Sequence, residues 1–438
     1  MHAIQELANF AANQAENSLP DSAVDACSLL VLDLVSSAAA GLNSTLAKAA
    51  RATARDIYGS GSTSVWFADG PSSVAGAAMA NAAAASALDI DDGHRGAAGH
   101  PGAGIIPAVF AVAQSLNASS ERIFDAIALG YEVGLRVAAS RPTPTIETYF
   151  SGRWVNYGVA VAAGRLLGLS PIELAHAMAI AGAEGPIAYS KGTSLYQGST
   201  VKEVIPPAVI AGLTGAYRAR AGATGPIDLL DCEDRFDRSI LTDGLGGHWA
   251  VEDCYLKPYA CCRHLHAAID ALHALRQPAT PVTSLRIETF PRGLGLINER
   301  APTTLEGAQY SFYFSCALAA IHGVEALQPV DPRHLGDERV LELASRIELV
   351  AHDDFADSFP KTTPGRVIID QGRGLESLTV LHPLGDVANP MDREQIIRKF
   401  KQISSRSLGP ARQKAIVAAI DGLRSHGFQP LFVALDAP

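Results

Sequence analysis

The chain has 438 residues, 48% hydrophobic and 18% charged, with a formal charge of −10. That length divides into two domains at roughly 100–200 residues each, and the apolar content excludes a disordered chain. An acidic chain without a basic tract is excluded from the usual nucleic-acid binders, whose affinity comes from Lys and Arg on phosphates.

The opening stretch, MHAIQELANFAANQAENSLP, has no basic head followed by an apolar core, so no signal segment is expected. Leu19-Pro20-Asp21-Ser22 then starts a helix, with Pro early and acids near the positive end of the dipole. Its apolar residues recur near the 3.6 period until Gly41. The run ACSLLVLDLVSSAAAGL inside it is interrupted by Asp33 and falls short of the ~20 residues a membrane span needs. It predicts a buried helix and no membrane partner. Val74 to Leu88 is mostly alanine, the best helix former, whose small side chain lets helices approach closely. SSERIFDAIALGYEVGLRVAAS, SPIELAHAMAIAGA and PPAVIAGLTGAYRARAGA continue a multi-helix domain.

After Lys257 the texture changes. VTSLRIETF, RIELVAHDD, GRVIIDQG and ESLTVLHP are short, β-branched and bounded by turn residues, which predicts about four strands. QYSFYFSCALAAIHG and DERVLELASR between them predict helices, so this region is an α+β unit. Beyond Pro390 two amphipathic helices return. The fold class is therefore mainly α: a large, discontinuous helical domain (1–256 and 391–438) with a smaller α+β lid (257–390). Six cysteines in a chain of this length give no disulfide framework, and a reducing cytoplasm is the expected setting.

The chemistry concentrates in LDIDDGHRGAAGHPGAGIIPA, Leu88 to Ala108. One reading is a helix end running into a solvated turn. A second is a metal site, but Arg95 stands where an Asp-Asp-x-x-Asp magnesium motif has its last aspartate. A third is an acid/base site for an anionic substrate, with proton transfer by carboxylate and imidazole and charge held by Arg95. Two other clusters favour the third: Lys191 and Lys202 around a Gly- and Ser-rich loop, and Lys257, Arg263 and His264 at the domain junction. Cys254, Cys261 and Cys262 lack zinc spacing, and adjacent cysteines suit an iron–sulfur cluster poorly. No P-loop or strand-linked G-x-G-x-x-G supports a nucleotide cofactor.

These segments resemble, in order, those of the MmgE/PrpD family: LPDSAVDACSLLVLDLVSSAAAGL, the Asp-rich turn followed by His-Pro, ERIFDAIALGYEVGLRVA, GRLLGLSP, AQYSFYFSCALAAIHG and GDVANPMDREQIIRKFKQI. The family includes 2-methylcitrate dehydratase, cis-aconitate decarboxylase and iminodisuccinate epimerase. The resemblance implies a homodimer, a site between a helical domain and an α+β lid, and catalysis without metal or organic cofactor. It implies His100, Asp89, Lys202 and Lys257 as the catalytic positions; His100 is the expected base, Asp89 orients it or serves as the partner acid, and the lysines are expected on carboxylates. Asp92, His94, Arg95, Arg153, Lys191, Arg263 and His264 are the expected substrate contacts. The chain departs from decarboxylase-like members at Gly93, where they carry Thr, and in a loop to His100 one residue longer. Cys262 replaces a histidine, Phe314 aligns with an expected tyrosine, and Arg153-Trp154 stand where many members have a histidine.

The reaction expected is a cofactor-independent lyase of the 2-methylcitrate dehydratase type, acting on a small hydroxy di- or tricarboxylate. Epimerisation, which needs the same carbanion, and cis-aconitate-type decarboxylation are the alternatives. A non-catalytic carboxylate-binding protein is the remaining one.

Overall fold

The structure, a computed structural model, describes residues 1–68, 70–142, 146, 148–186 and 198–436. Two hydrophobic cores organise it. The larger is helical, built on α1 (Ala3–Asn13), α2 (Asp21–Gly41), α3 (Thr45–Thr53), α4 (Val74–Ser86), α5 (Gly102–Leu116), α6 (Ser120–Ala139), α7 (Val155–Leu166), α8 (Pro171–Ala183) and α9 (Ile205–Arg220). The alanine-rich α4 is buried on nearly every side, packed against α2, α5 and α9. Small residues permit that approach: a Cβ on Gly41 would stand 2.1 Å from the carbonyl oxygen of Ala84.

The polypeptide crosses from α4 to α5 through the two-residue strand β1 (Gly93–His94), which pairs antiparallel with β2 (Cys254–Tyr255). A short helix, α10 (Arg238–Thr242), precedes β2. The smaller unit then follows with α11 (His266–Leu275), β3 (Ser284–Thr289), α12 (Leu305–Gln309), α13 (Phe312–His322), α14 (Glu338–Arg346), β4 (Glu348–Ala351), β5 (Gly365–Asp370) and β6 (Leu375–Val380). Its sheet has the order β4-β3-β5-β6, with β3 and β4 parallel and the other pairs antiparallel. β5 alternates cleanly: Val367 and Ile369 are fully buried while Arg366 and Ile368 are partly exposed. The four predicted strands all form. The chain is thus mainly α with a smaller α+β part.

The chain ends in α15 (Arg393–Ser404), α16 (Pro410–Asp421), α17 (Leu423–His426) and α18 (Gln429–Asp436). α15 and α16 lie against α2. Lys399 of α15 bonds to the buried Asp33 and to the carbonyl of Ile90 at 2.8 Å. α2 runs for 21 residues, longer than the apolar stretch read from the sequence, and is long and apolar enough to cross a membrane. In the fold it is a core helix, and Asp33 within it has its cationic partner inside the protein.

Candidate active site

A cavity of about 320 Å3 lies where the helical body meets the α+β unit. The body lines it with Asp89, His94, Arg95, His100 and Glu203, and the smaller unit with Cys262, Arg263, His264 and Tyr310. Asp89 leaves α4 with φ +54°. That left-handed geometry costs a non-glycine residue on the order of 1–3 kcal/mol and is usually retained for a site. Its carboxylate accepts from Lys257 Nζ at 2.8 Å and from the Tyr310 hydroxyl at 3.3 Å. Burial would raise its pKa, but the charges of Lys257, Lys202 and His100 outweigh burial and hold it well below the usual carboxylate range. Asp89 is an anion.

His100 Nδ1 lies 2.7 Å from the backbone carbonyl oxygen of Asp92. A carbonyl only accepts, so Nδ1 carries a proton, and in the neutral ring the lone pair is on Nε2. Nε2 stands 3.7 Å from Asp89 Oδ1, and Nδ1 3.6 Å from Asp91 Oδ2, a buried oxygen with no hydrogen-bond partner among the described residues. An imidazolium formed at His100 would sit between two carboxylates. The backbone N–H of His100 donates to Ser151 Oγ at 2.8 Å, and Ser151 donates in turn to Glu203 from its N–H (2.9 Å) and hydroxyl (3.1 Å).

The two lysines expected on substrate carboxylates are placed otherwise. Lys257 is fully buried against Asp89 and does not line the cavity. Burial lowers its pKa, but Asp89 and Asp91 raise it further, so it stays charged. Lys202, at φ +45°, donates to the carbonyls of Ser86 (2.8 Å) and Ala87 (3.0 Å), where α4 ends and its dipole is negative. It fixes the helix end that presents Asp89, and acts as a positioning residue. Asp92 is also turned away from the cavity. It accepts from Tyr131 (3.0 Å) and the Gly102 N–H (3.1 Å), capping α5. Burial, then Asp91 nearby, raises its pKa well above the usual range.

The glycines around His100 approach protein atoms and not substrate. A Cβ on Gly99 would meet Ser151 Oγ at 2.6 Å, and one on Gly102 would meet Asp92 Oδ1 at 2.3 Å. Gly93 faces Tyr255, whose ring would lie 2.4 Å from a Cβ there.

The other expected contacts divide. Arg95 and Arg263 line the cavity but converge on Asp386, and both lie over the Tyr255 ring. Thr363 accepts from Arg95 at 2.9 Å. His94 and His264 also line the cavity, both neutral: burial lowers their pKa values to about 4 and about 3. Arg153, on the 3₁₀ turn Ser151–Arg153, is not among the lining residues. Lys191 lies outside the described residues.

Sequence reasoning missed Glu203, Tyr310 and Arg292, all on the cavity. Glu203 adjoins Lys202 and was hidden by it. Phe314, aligned with the expected tyrosine, is buried in the smaller core, and Tyr310, four residues earlier at the end of α12, supplies a hydroxyl to Asp89. Burial, with Asp89 and Glu203 beside it, pushes the Tyr310 phenol well up, so it keeps its proton. Burial likewise raises Glu203, against the pull of His100 and its Ser151 bonds.

His266, fully buried behind Arg263, donates from Nε2 to the Cys261 carbonyl (3.2 Å), and its Nδ1 faces Arg263 Nη1 at 3.4 Å. Burial and the Arg263 charge lower its pKa well below 6.5. The unfolded chain therefore takes up a proton that the fold refuses, so this contribution is complete above about pH 6.5 and lost as pH falls. Thermal melts should show stability declining below pH 6.5, with a shallower decline in His266→Gln. Equal slopes in the two proteins would contradict this.

Comparison with known proteins places this geometry. The model of the MmgE/PrpD N-terminal domain matches residues 5–245, and that of the MmgE/PrpD C-terminal domain matches residues 259–424. A cis-aconitate decarboxylase of Aspergillus terreus is 24% identical, the alignment covering 99% of this chain and 96% of the relative. The cis-aconitate decarboxylase-like protein oryM of Aspergillus oryzae is 22% identical over 96% of this chain and 94% of its own. Human cis-aconitate decarboxylase is 24% identical over 65% of this chain and 63% of its own.

Proposed function

The chain belongs to the MmgE/PrpD family, and from that premise we propose that it is a lyase that moves a proton at a carbon next to a carboxylate of a small di- or tricarboxylic acid. The observation that carries the reading is the His100 arrangement. Its Nδ1 proton is fixed on the Asp92 carbonyl, and its Nε2 lone pair is beside an obligate anion, Asp89, on the cavity wall. His100 is the base. Asp89 and Asp91 stabilise the imidazolium that forms, and Lys257 and Lys202 keep Asp89 ionised. Tyr310 holds its proton on the same wall and is the candidate acid for a leaving hydroxide, and burial raises the pKa of Glu203 beside it. Arg95, Arg263 and Arg292 supply the positive field for substrate carboxylates.

The favoured outcome is dehydration, as in 2-methylcitrate dehydratase. Decarboxylation is the second reading, and the names of the relatives favour it. Both readings call on protein groups alone: Asp89 accepts from Lys257 and Tyr310, and Asp92 accepts from Tyr131 and the Gly102 N–H.

The test is incubation of hydroxy and unsaturated polycarboxylates in deuterated buffer containing EDTA. Alkene formation from a hydroxy acid supports dehydration, and release of carbon dioxide with deuterium at the neighbouring carbon supports decarboxylation. Deuterium exchange with inversion and no alkene would mean an epimerase. No exchange at any α carbon, with carboxylates still raising the melting temperature, would mean a binding protein. Activity lost to EDTA and restored by a divalent cation would overturn the metal-free reading.

A further inference from the structure

The cavity also carries an apolar lining, from Tyr149, Phe150, Leu296, Ile297, Phe359 and Pro360. The rings form one patch joining both parts of the protein. Tyr149 of the body meets Phe359 edge to face, with ring centres 5.5 Å apart. Phe359 stacks on Phe290 at 5.8 Å, and His264 sets its edge against both, at 5.5 and 4.9 Å. The imidazole of His264 has a buried Nδ1 without a hydrogen-bond partner among the described residues.

Three arginines line the same cavity. Arg95 and Arg263 share Asp386. Arg292 lies over the Tyr149 ring at 4.3 Å, with no carboxylate partner among the described residues. Arg292 and the positive charge left over by Arg95 and Arg263 on their shared Asp386 can hold two carboxylates, but a further carboxylate laid on rings and aliphatic side chains would be desolvated without a partner. An apolar group placed there is instead favoured by its transfer from water. The wall is also continuous with the reacting pole, since one cavity of about 320 Å3 includes both.

We propose that the substrate is a carboxylic acid bearing an apolar side group larger than methyl, its reacting carbon at His100, its carboxylates toward Arg95, Arg263 and Arg292, and the side group against Leu296, Ile297 and Phe359. This rests on the proton-transfer reading above for which end reacts. The wall itself is tested separately, with non-reacting ligands.

Calorimetry on the full chain with 2-alkylsuccinates, from methyl to pentyl, reads the wall without any chemistry. Affinity should rise about three- to fourfold for each added methylene, as expected for burying it. Ile297→Asp, which sets a carboxylate in the wall, should flatten the series. A flat or falling series in the unaltered protein would overturn the proposal, as would no binding by any member or an undiminished slope in Ile297→Asp. Turnover of the matching 2-alkylcitrates is followed in parallel. A rising binding series with no proton exchange in any alkylcitrate would keep the apolar wall and remove the reaction proposed for it.

Discussion

His100→Ala is expected to lower kcat by about 10²–10⁴-fold, the loss typical of removing a general base. The substitution also takes away the Nδ1 donor that the Asp92 carbonyl uses at 2.7 Å, and an unsatisfied buried acceptor costs about 1–3 kcal/mol. His100→Asn separates the two effects. Its amide nitrogen reaches the place of Nδ1 and can donate to the same carbonyl, but it offers no base at Nε2. Its melting temperature should therefore stay near that of the unaltered protein while turnover falls as far as in the alanine variant. Near-normal turnover in His100→Asn would move the base elsewhere. Asp89 is then the next candidate, because its ionised carboxylate already lies on the cavity wall.

Lys257→Met should be the most damaging single change to stability around the site. Lys257 and Asp89 are a buried pair, with side chains 0% and 3% exposed, and removing one partner of such a pair costs about 3–5 kcal/mol. Tyr310 and the more distant Lys202 cannot neutralise the carboxylate left behind. The sign of the pH effect follows from the lowered pKa of Asp89. Its contribution to stability is present above the unfolded value of about 3.8, and is lost as pH falls through the lower folded value. Without Lys257 the carboxyl titrates higher, so the acid limb of kcat/KM should move upward. The double variant Asp89→Asn with Lys257→Met should regain most of the stability and none of the activity. A single variant as stable as the unaltered protein, with an unmoved acid limb, would show that the pair does not set the charge of Asp89.

The elements were legible because they depend on neighbours in the chain. The apolar period of Asp21–Gly41, the alanines of Val74–Ser86 and the alternation in Gly365–Asp370 each fix a local conformation and a buried face. The turn from Asp89 to His100 was legible as a site for the same reason, since its acids, histidines and arginine exceed what a turn requires. Side-chain direction was decided by the tertiary structure. Asp89 and Lys202 both take left-handed backbone angles that no local pattern announces, and these turn one toward the cavity and the other onto the end of α4. Asp92 is held by other partners, Tyr131 from α6 and the N–H of Gly102. Lys257 meets Asp89 across 168 positions, and Tyr310 meets it across 221. Sequence by itself determined which segments fold and where ionisable groups gather. Which of those groups face a ligand, and which only hold the others in charge and place, was settled by long-range packing, because a buried charge goes wherever the fold supplies its partner.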